Sequence, residues 1–93
     1  MATRLLLVED QEELRVLYAS MLESAGFDVD HAANGQEALR LVQEQRPELI
    51  LLDLEMPELD GLSTLTCLRG DERYEESRGT PVVFLTSHED PSQ

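Results

Sequence analysis

The sequence predicts an α/β fold: a doubly wound parallel sheet with helices on both faces. Three observations predict it. Short apolar runs at residues 5–8 (LLLV), 49–52 (LILL) and 81–86 (PVVFLT) have the length and composition of buried strands. Between them lie segments whose apolar residues recur every three or four positions, as on one face of a helix. The order, read with a half-exposed strand at 27–32, is βαβαβαβ, and that alternation implies parallel strands joined by helical crossovers.

Each element has its own grounds. The run at 5–8 stops abruptly at Glu9-Asp10; its shortness and the acidic stop favour a strand over a helix fragment. Residues 11–25 place Leu14, Leu17, Tyr18, Met21, Leu22 and Ala25 on one stripe. Asp10 is the expected N-cap of that helix, Glu12 and Glu13 suit its first turn, and Gly26 suits the C′ position. Residues 27–32 alternate apolar and polar, which predicts a strand. Asn34-Gly35 is a turn signal. A second helix follows over 36–45 with Ala38, Leu39, Leu41 and Val42, and Pro47 prevents its continuation. The run 49–52 predicts a central strand, 57–61 a loop, and 62–68 a helix with Leu62, Leu65 and Leu68 on one side. Residues 70–79 are polar and acidic and predict a solvated loop or frayed helix end. Residues 81–86 close the pattern with another strand.

The chain has 93 residues, enough for one domain over 1–93. Its formal net charge is −13, and all seven cations are arginine. Such a charge argues against direct binding to nucleic acid and against an anionic membrane surface. Cys67 is the single cysteine, so no internal disulfide forms, and a reducing cytoplasm is the expected location. The first apolar run is too short for a signal-peptide core or a membrane span.

The acids carry the chemical signal. In doubly wound sheets the reactive groups gather beyond the carboxyl ends of the strands. Glu9, Asp10 and Asp53 fall there, and Thr86-Ser87 end another strand. Acids at strand ends are often only solvated caps. If the first and third strands are neighbours, however, three carboxylates converge and repel, unless a cation intervenes. Oxygen ligands favour a hard ion such as Mg²⁺, which keeps waters and phosphate oxygens in its shell. Asp53 could then act as a carboxylate nucleophile toward phosphorus, with Thr86 or Ser87 donating to a phosphoryl oxygen.

Three stretches, LLLVEDQ, LILLDLEMPELDG and PVVFLTS, make the sequence resemble the receiver domain of bacterial two-component response regulators, from Leu5 to about Asp90. The resemblance implies a flavodoxin-like fold with strand order 2-1-3-4-5. It implies Asp53 as phosphoacceptor from a sensor histidine kinase or phosphotransfer protein, with Mg²⁺ as cofactor. Asp10 would bind the ion directly, Glu9 through water, Asp53 with a carboxylate oxygen and Glu55 with its backbone carbonyl. Thr86 would be the switch hydroxyl, and Glu55, Ser87 and His88 would flank the phosphoryl group. Plainer readings put His88 at the surface, His31 at the surface or half-buried, Met56 in packing, Asp60 in a turn and Cys67 in the core or at its boundary.

The family continues past this point with a fourth helix, a fifth strand ending in a Lys and a final helix. The expectation is therefore a truncated sheet of four strands, order 2-1-3-4, with residues 81–86 as an exposed apolar edge. A homodimer, a swapped oligomer or an only marginally stable fold is the expected consequence. Because the chain has no Lys, the alternative function is a receiver-like interaction module with little or no phosphorylation. An aspartyl-nucleophile phosphatase, which expects a second Asp where Glu55 stands, fits less well. A signalling module rather than an enzyme is the leading expectation.

Overall fold

A computed structural model describes residues 2–53, 61–77 and 79–85. The elements are β1 (Arg4–Val8), α1 (Glu12–Ser24), β2 (Asp28–Ala32), α2 (Gly35–Gln45), β3 (Leu49–Asp53), α3 (Gly61–Gly70), a 3-10 helix (Glu72–Ser77) and β4 (Val82–Leu85). Among the described residues the strands form one parallel sheet in the order β2-β1-β3-β4. The chain thus has the expected doubly wound, flavodoxin-like order.

Alternation along the strands builds two cores. Leu6 and Val8 of β1, with Ile50 and Leu52 of β3, turn to one face and pack with Ala38, Leu39 and Val42 of α2 and Leu68 of α3. Leu5 and Leu7 turn to the other face, against Ala19 of α1 and Val29, with Tyr18, Leu22, Leu49 and Leu51 around them. Central strands buried on both faces read as unbroken apolar runs, and β1 and β3 do. β2 lies at an edge, buries Val29 and Ala32, and leaves His31 exposed. β4 is the last strand in the sheet order, and its Val83 and Phe84 are 48% and 41% exposed. Among the described residues β4 therefore forms an apolar edge of the sheet. Cys67 is half-buried against the first core.

Helix ends follow local chemistry with one correction. Gly26 has φ +102°, a left-handed conformation that costs glycine little, and it ends α1 as expected. The N-cap of α1, however, is Gln11 and not Asp10, and the Gln11 side chain makes no capping bond. Instead the Gln11 N–H donates to Glu9 Oε2 at 3.1 Å. A carboxylate from the strand end satisfies the helix start, which leaves Asp10 uncommitted.

Asn34 is both turn residue and N-cap of α2. Its Oδ1 accepts from the Glu37 N–H at 2.8 Å, while Glu37 Oε1 accepts from the Ala33 N–H at 2.9 Å. This is a reciprocal cap of the capping-box kind. α2 ends at Arg46 in the left-handed region, before the buried Pro47.

The second correction concerns residues 70–79. Expected as a solvated loop or frayed helix end, this segment in part forms a 3-10 helix, started by Asp71, whose Oδ1 accepts from the Arg73 N–H at 2.9 Å. The Arg73 guanidinium closes on the same carboxylate at 2.7 Å and holds the Asp71 carboxyl down from 3.8 to about 2.

Candidate phosphoacceptor and metal site

Register places the acids. β1 pairs with β3 so that Leu7 lies beside Leu51 and Val8 beside Leu52. The next step along both chains brings Glu9 to Asp53, the last residue of β3. Glu9 is tied further to β2, its N–H donating to the Ala32 carbonyl at 3.0 Å. Carboxylate oxygens of Glu9, Asp10 and Asp53 all lie within 4.8 Å of one another. Glu9 and Asp53 are each only 1% exposed, and Asp10 is half-buried.

This crowding is electrostatically costly. Burial pushes the Glu9 carboxyl up from 4.5 to about 7. The neighbouring Asp53 and Asp10 carboxyls push the same way, and the hydrogen bond from the Gln11 N–H opposes them. Asp10 Oδ1 is buried and accepts no hydrogen bond from the protein. A buried carboxylate oxygen without a donor is unfavourable unless another positive group meets it. A divalent cation fits. The donors are all oxygen, they converge, and the ion would offset both the burial of the charge and the repulsion between the acids.

These features set the acids apart from ordinary solvated caps. Solvated caps would be exposed and apart; here two of the three are buried and all three converge. A cleft of about 440 Å³ lies elsewhere, lined by Ala2, Arg4, Asp28, Arg46 and Glu48. Its lining mixes both charge signs, and Arg4 there is engaged by Gln45 and Glu48. It does not share the convergence seen at the strand ends.

The sequence matches the family described as response regulator receiver domain over residues 5–93. The chain belongs to the response regulator receiver family. It is 39% identical over 87 residues to the transcriptional regulatory protein SrrA of Staphylococcus aureus, a match covering 94% of this chain and 34% of SrrA. The receiver chain therefore spans about a third of the length of the curated relatives it matches. Among solved structures, the chemotaxis protein CheY4 of Vibrio cholerae superposes with a TM-score of 0.84 at 30% identity, over 99% of this chain and 74% of that one. The receiver domain of the histidine kinase CKI1 from Arabidopsis thaliana, complexed with Mg²⁺ and BeF₃⁻, gives 0.80 at 31% identity, over 97% and 69%. Receiver domains are signalling modules that bind Mg²⁺ at an acidic pocket and work with histidine kinases or phosphotransfer proteins.

Of the expected site residues, Glu9, Asp10 and Asp53 are brought together. Glu55, Thr86, Ser87 and His88 lie outside the described residues, as do Met56, Pro57 and Asp60. One neighbour of the site was missed in the sequence. Arg15 of α1 is half-buried, and its Nη1 donates to the Glu9 carbonyl at 3.0 Å. A signal was available: a cation close to a helix N-terminus opposes the helix dipole and calls for a reason.

Among the described residues, no helix is long and apolar enough to cross a membrane.

Proposed function

We propose that this receiver accepts a phosphoryl group on Asp53 from the phosphohistidine of a sensor histidine kinase or phosphotransfer protein, with Mg²⁺ held by Glu9, Asp10 and Asp53. The observation that carries the reading is the convergence of three carboxylates within 4.8 Å, one of them presenting a buried oxygen that accepts no hydrogen bond. A carboxylate oxygen of Asp53 attacks phosphorus. The new P–O bond forms as the P–N bond breaks, and the imidazole leaves with the electron pair and takes up a proton. A bound Mg²⁺ supplies charge neutralisation on the transferring group. Burial of Asp53 limits water around the acyl phosphate. Glu55 would add a backbone carbonyl to the ion, Thr86 a hydroxyl to the phosphoryl group, and Ser87 and His88 its flanks. These four roles rest on the family resemblance. The Mg²⁺ and BeF₃⁻ bound by the CKI1 receiver support the reading.

The test is intact-mass analysis after incubation with a small acyl phosphate and Mg²⁺. The expected result is a gain of one phosphoryl group that disappears with Mg²⁺ chelation and in Asp53→Asn. A gain that persists in Asp53→Asn overturns the assignment. Mg²⁺ binding with no gain in mass would make the chain an interaction module instead.

A further inference from the structure

Glu9 is held at both backbone polar groups and at one carboxylate oxygen. Its N–H donates to the Ala32 carbonyl at 3.0 Å, its carbonyl accepts from Arg15 Nη1 at 3.0 Å, and its Oε2 accepts from the Gln11 N–H at 3.1 Å. The first bond ties it to β2 and the second to α1. The third closes the turn between β1 and α1 on itself. Asp10 sits inside that clamp, with Oδ1 buried and no donor reaching it. The first turn of α1 already carries Glu12 and Glu13, which suit the dipole, and Arg15 does not. Its side chain is half-buried and reaches back over the turn to a carbonyl.

We infer that Arg15 is a positioning residue for the divalent-cation site: its bond to the Glu9 carbonyl fixes the peptide between Glu9 and Asp10, and with it the direction of the Asp10 carboxylate. The inference rests on the cation site proposed above. With the carbonyl released, the peptide is free to rotate, and the side chain that follows it turns away from Glu9 and Asp53. Outer partners that orient metal ligands contribute to affinity in just this way without touching the ion.

Two variants test it. Arg15→Met keeps the apolar stem and removes the donor; Arg15→Lys keeps a donor and the charge. Mg²⁺ affinity is read by titration calorimetry, stability by thermal melting without metal, and the turn by amide exchange at Gln11. Arg15→Met is expected to weaken Mg²⁺ binding about tenfold, with melting unchanged within about 2 °C and faster exchange at Gln11. Arg15→Lys is expected to restore affinity to within about threefold of the parent. Affinity unchanged in Arg15→Met, a fall in melting that parallels the loss, or a Lys variant as weak as the Met variant would each overturn the inference. If the parent chain binds no Mg²⁺, the phosphoacceptor reading fails. Exchange at Gln11 then still decides the positioning role, for which an unchanged rate is the refuting result.

Discussion

Metal-free protein should lose stability as pH rises from 4.5 to 7, the reverse of the trend that ion-paired carboxylates produce. The Glu9 carboxyl titrates near its ordinary 4.5 in the unfolded chain and at about 7 in the folded one. Between those values the folded state binds more protons than the unfolded state, so unfolding free energy falls with pH. Below 4.5 both states are protonated, and above 7 both are ionised, so the curve is flat at either side. The difference of 7 from 4.5 corresponds to at most about 3 kcal/mol. With a urea slope of roughly 1–3 kcal/mol per M, the midpoint should move by about 1–3 M between pH 5 and pH 8. Asp71 does not interfere, because its depressed value of about 2 confines its effect to pH below 4. General repulsion in a chain of charge −13 also grows with pH. The decisive comparison is therefore Glu9→Gln, which should flatten the Glu9 part of the slope and leave the rest. Urea melts in chelator at several pH values give both curves. Equal slopes for parent and Glu9→Gln from pH 5 to pH 8 would refute the reasoning. Saturating Mg²⁺ should remove the loss, since the ion binds the ionised form.

Four further outcomes are expected. Leu52→Ala removes a fully buried side chain from the core that α2 and α3 cover, and should cost about 2–5 kcal/mol in denaturant melts. Asn34→Ala removes the α2 cap and should cost about 1 kcal/mol, with Asn34→Gly costing only a few tenths. Gly26→Ala meets no atom within 4 Å yet forces a side chain into φ +102°, so it should cost about 1 kcal/mol through backbone strain alone. The β4 edge is uncharged and exposes Val83 and Phe84, whereas the β2 edge carries Asp28 and Asp30. Light scattering over a dilution series should therefore show self-association that Val83→Lys suppresses, and a concentration-independent monomer would refute pairing through β4.

The parts of the fold legible in the sequence are those where one physical demand dominates. β1 and β3 are buried on both faces, so nothing but apolar residues serves, and LLLV and LILL announce them. Gly26 is legible because a left-handed residue ends α1. The failures come where two demands compete for one residue. Asp10 has the chemistry of an N-cap, but the Glu9 carboxylate meets the helix start and Asp10 turns to the acid cluster. Residues 72–77 lack any apolar period because their 3-10 helix rests on the Asp71–Arg73 pair, which periodicity cannot see. Arg15 shows in the sequence only as a cation near a helix N-terminus; its partner, a backbone carbonyl, leaves no mark there.

The site itself follows from burial rather than from any separate device. β1 and β3 are apolar on both faces and flanked by charge, so a slip of either strand would carry a charged flank into the sheet interior. Leu5 and Leu7 must lie on the α1 face and Leu6 and Val8 on the other, and Leu49 to Leu52 face the same constraint. Those demands fix Val8 beside Leu52. The residues one step on, Glu9 and Asp53, then have no freedom to be apart, whatever their repulsion. The apolar interior holds three carboxylates close together, and burial above all, with the neighbouring carboxyls adding to it, raises Glu9 to about 7. A cation that binds there is drawn by charge the core has already forced together, so residues that define the core also hold the site. Leu52→Ala should for that reason weaken Mg²⁺ binding even in the fraction that remains folded, although Leu52 lies in the core and not among the proposed ligands.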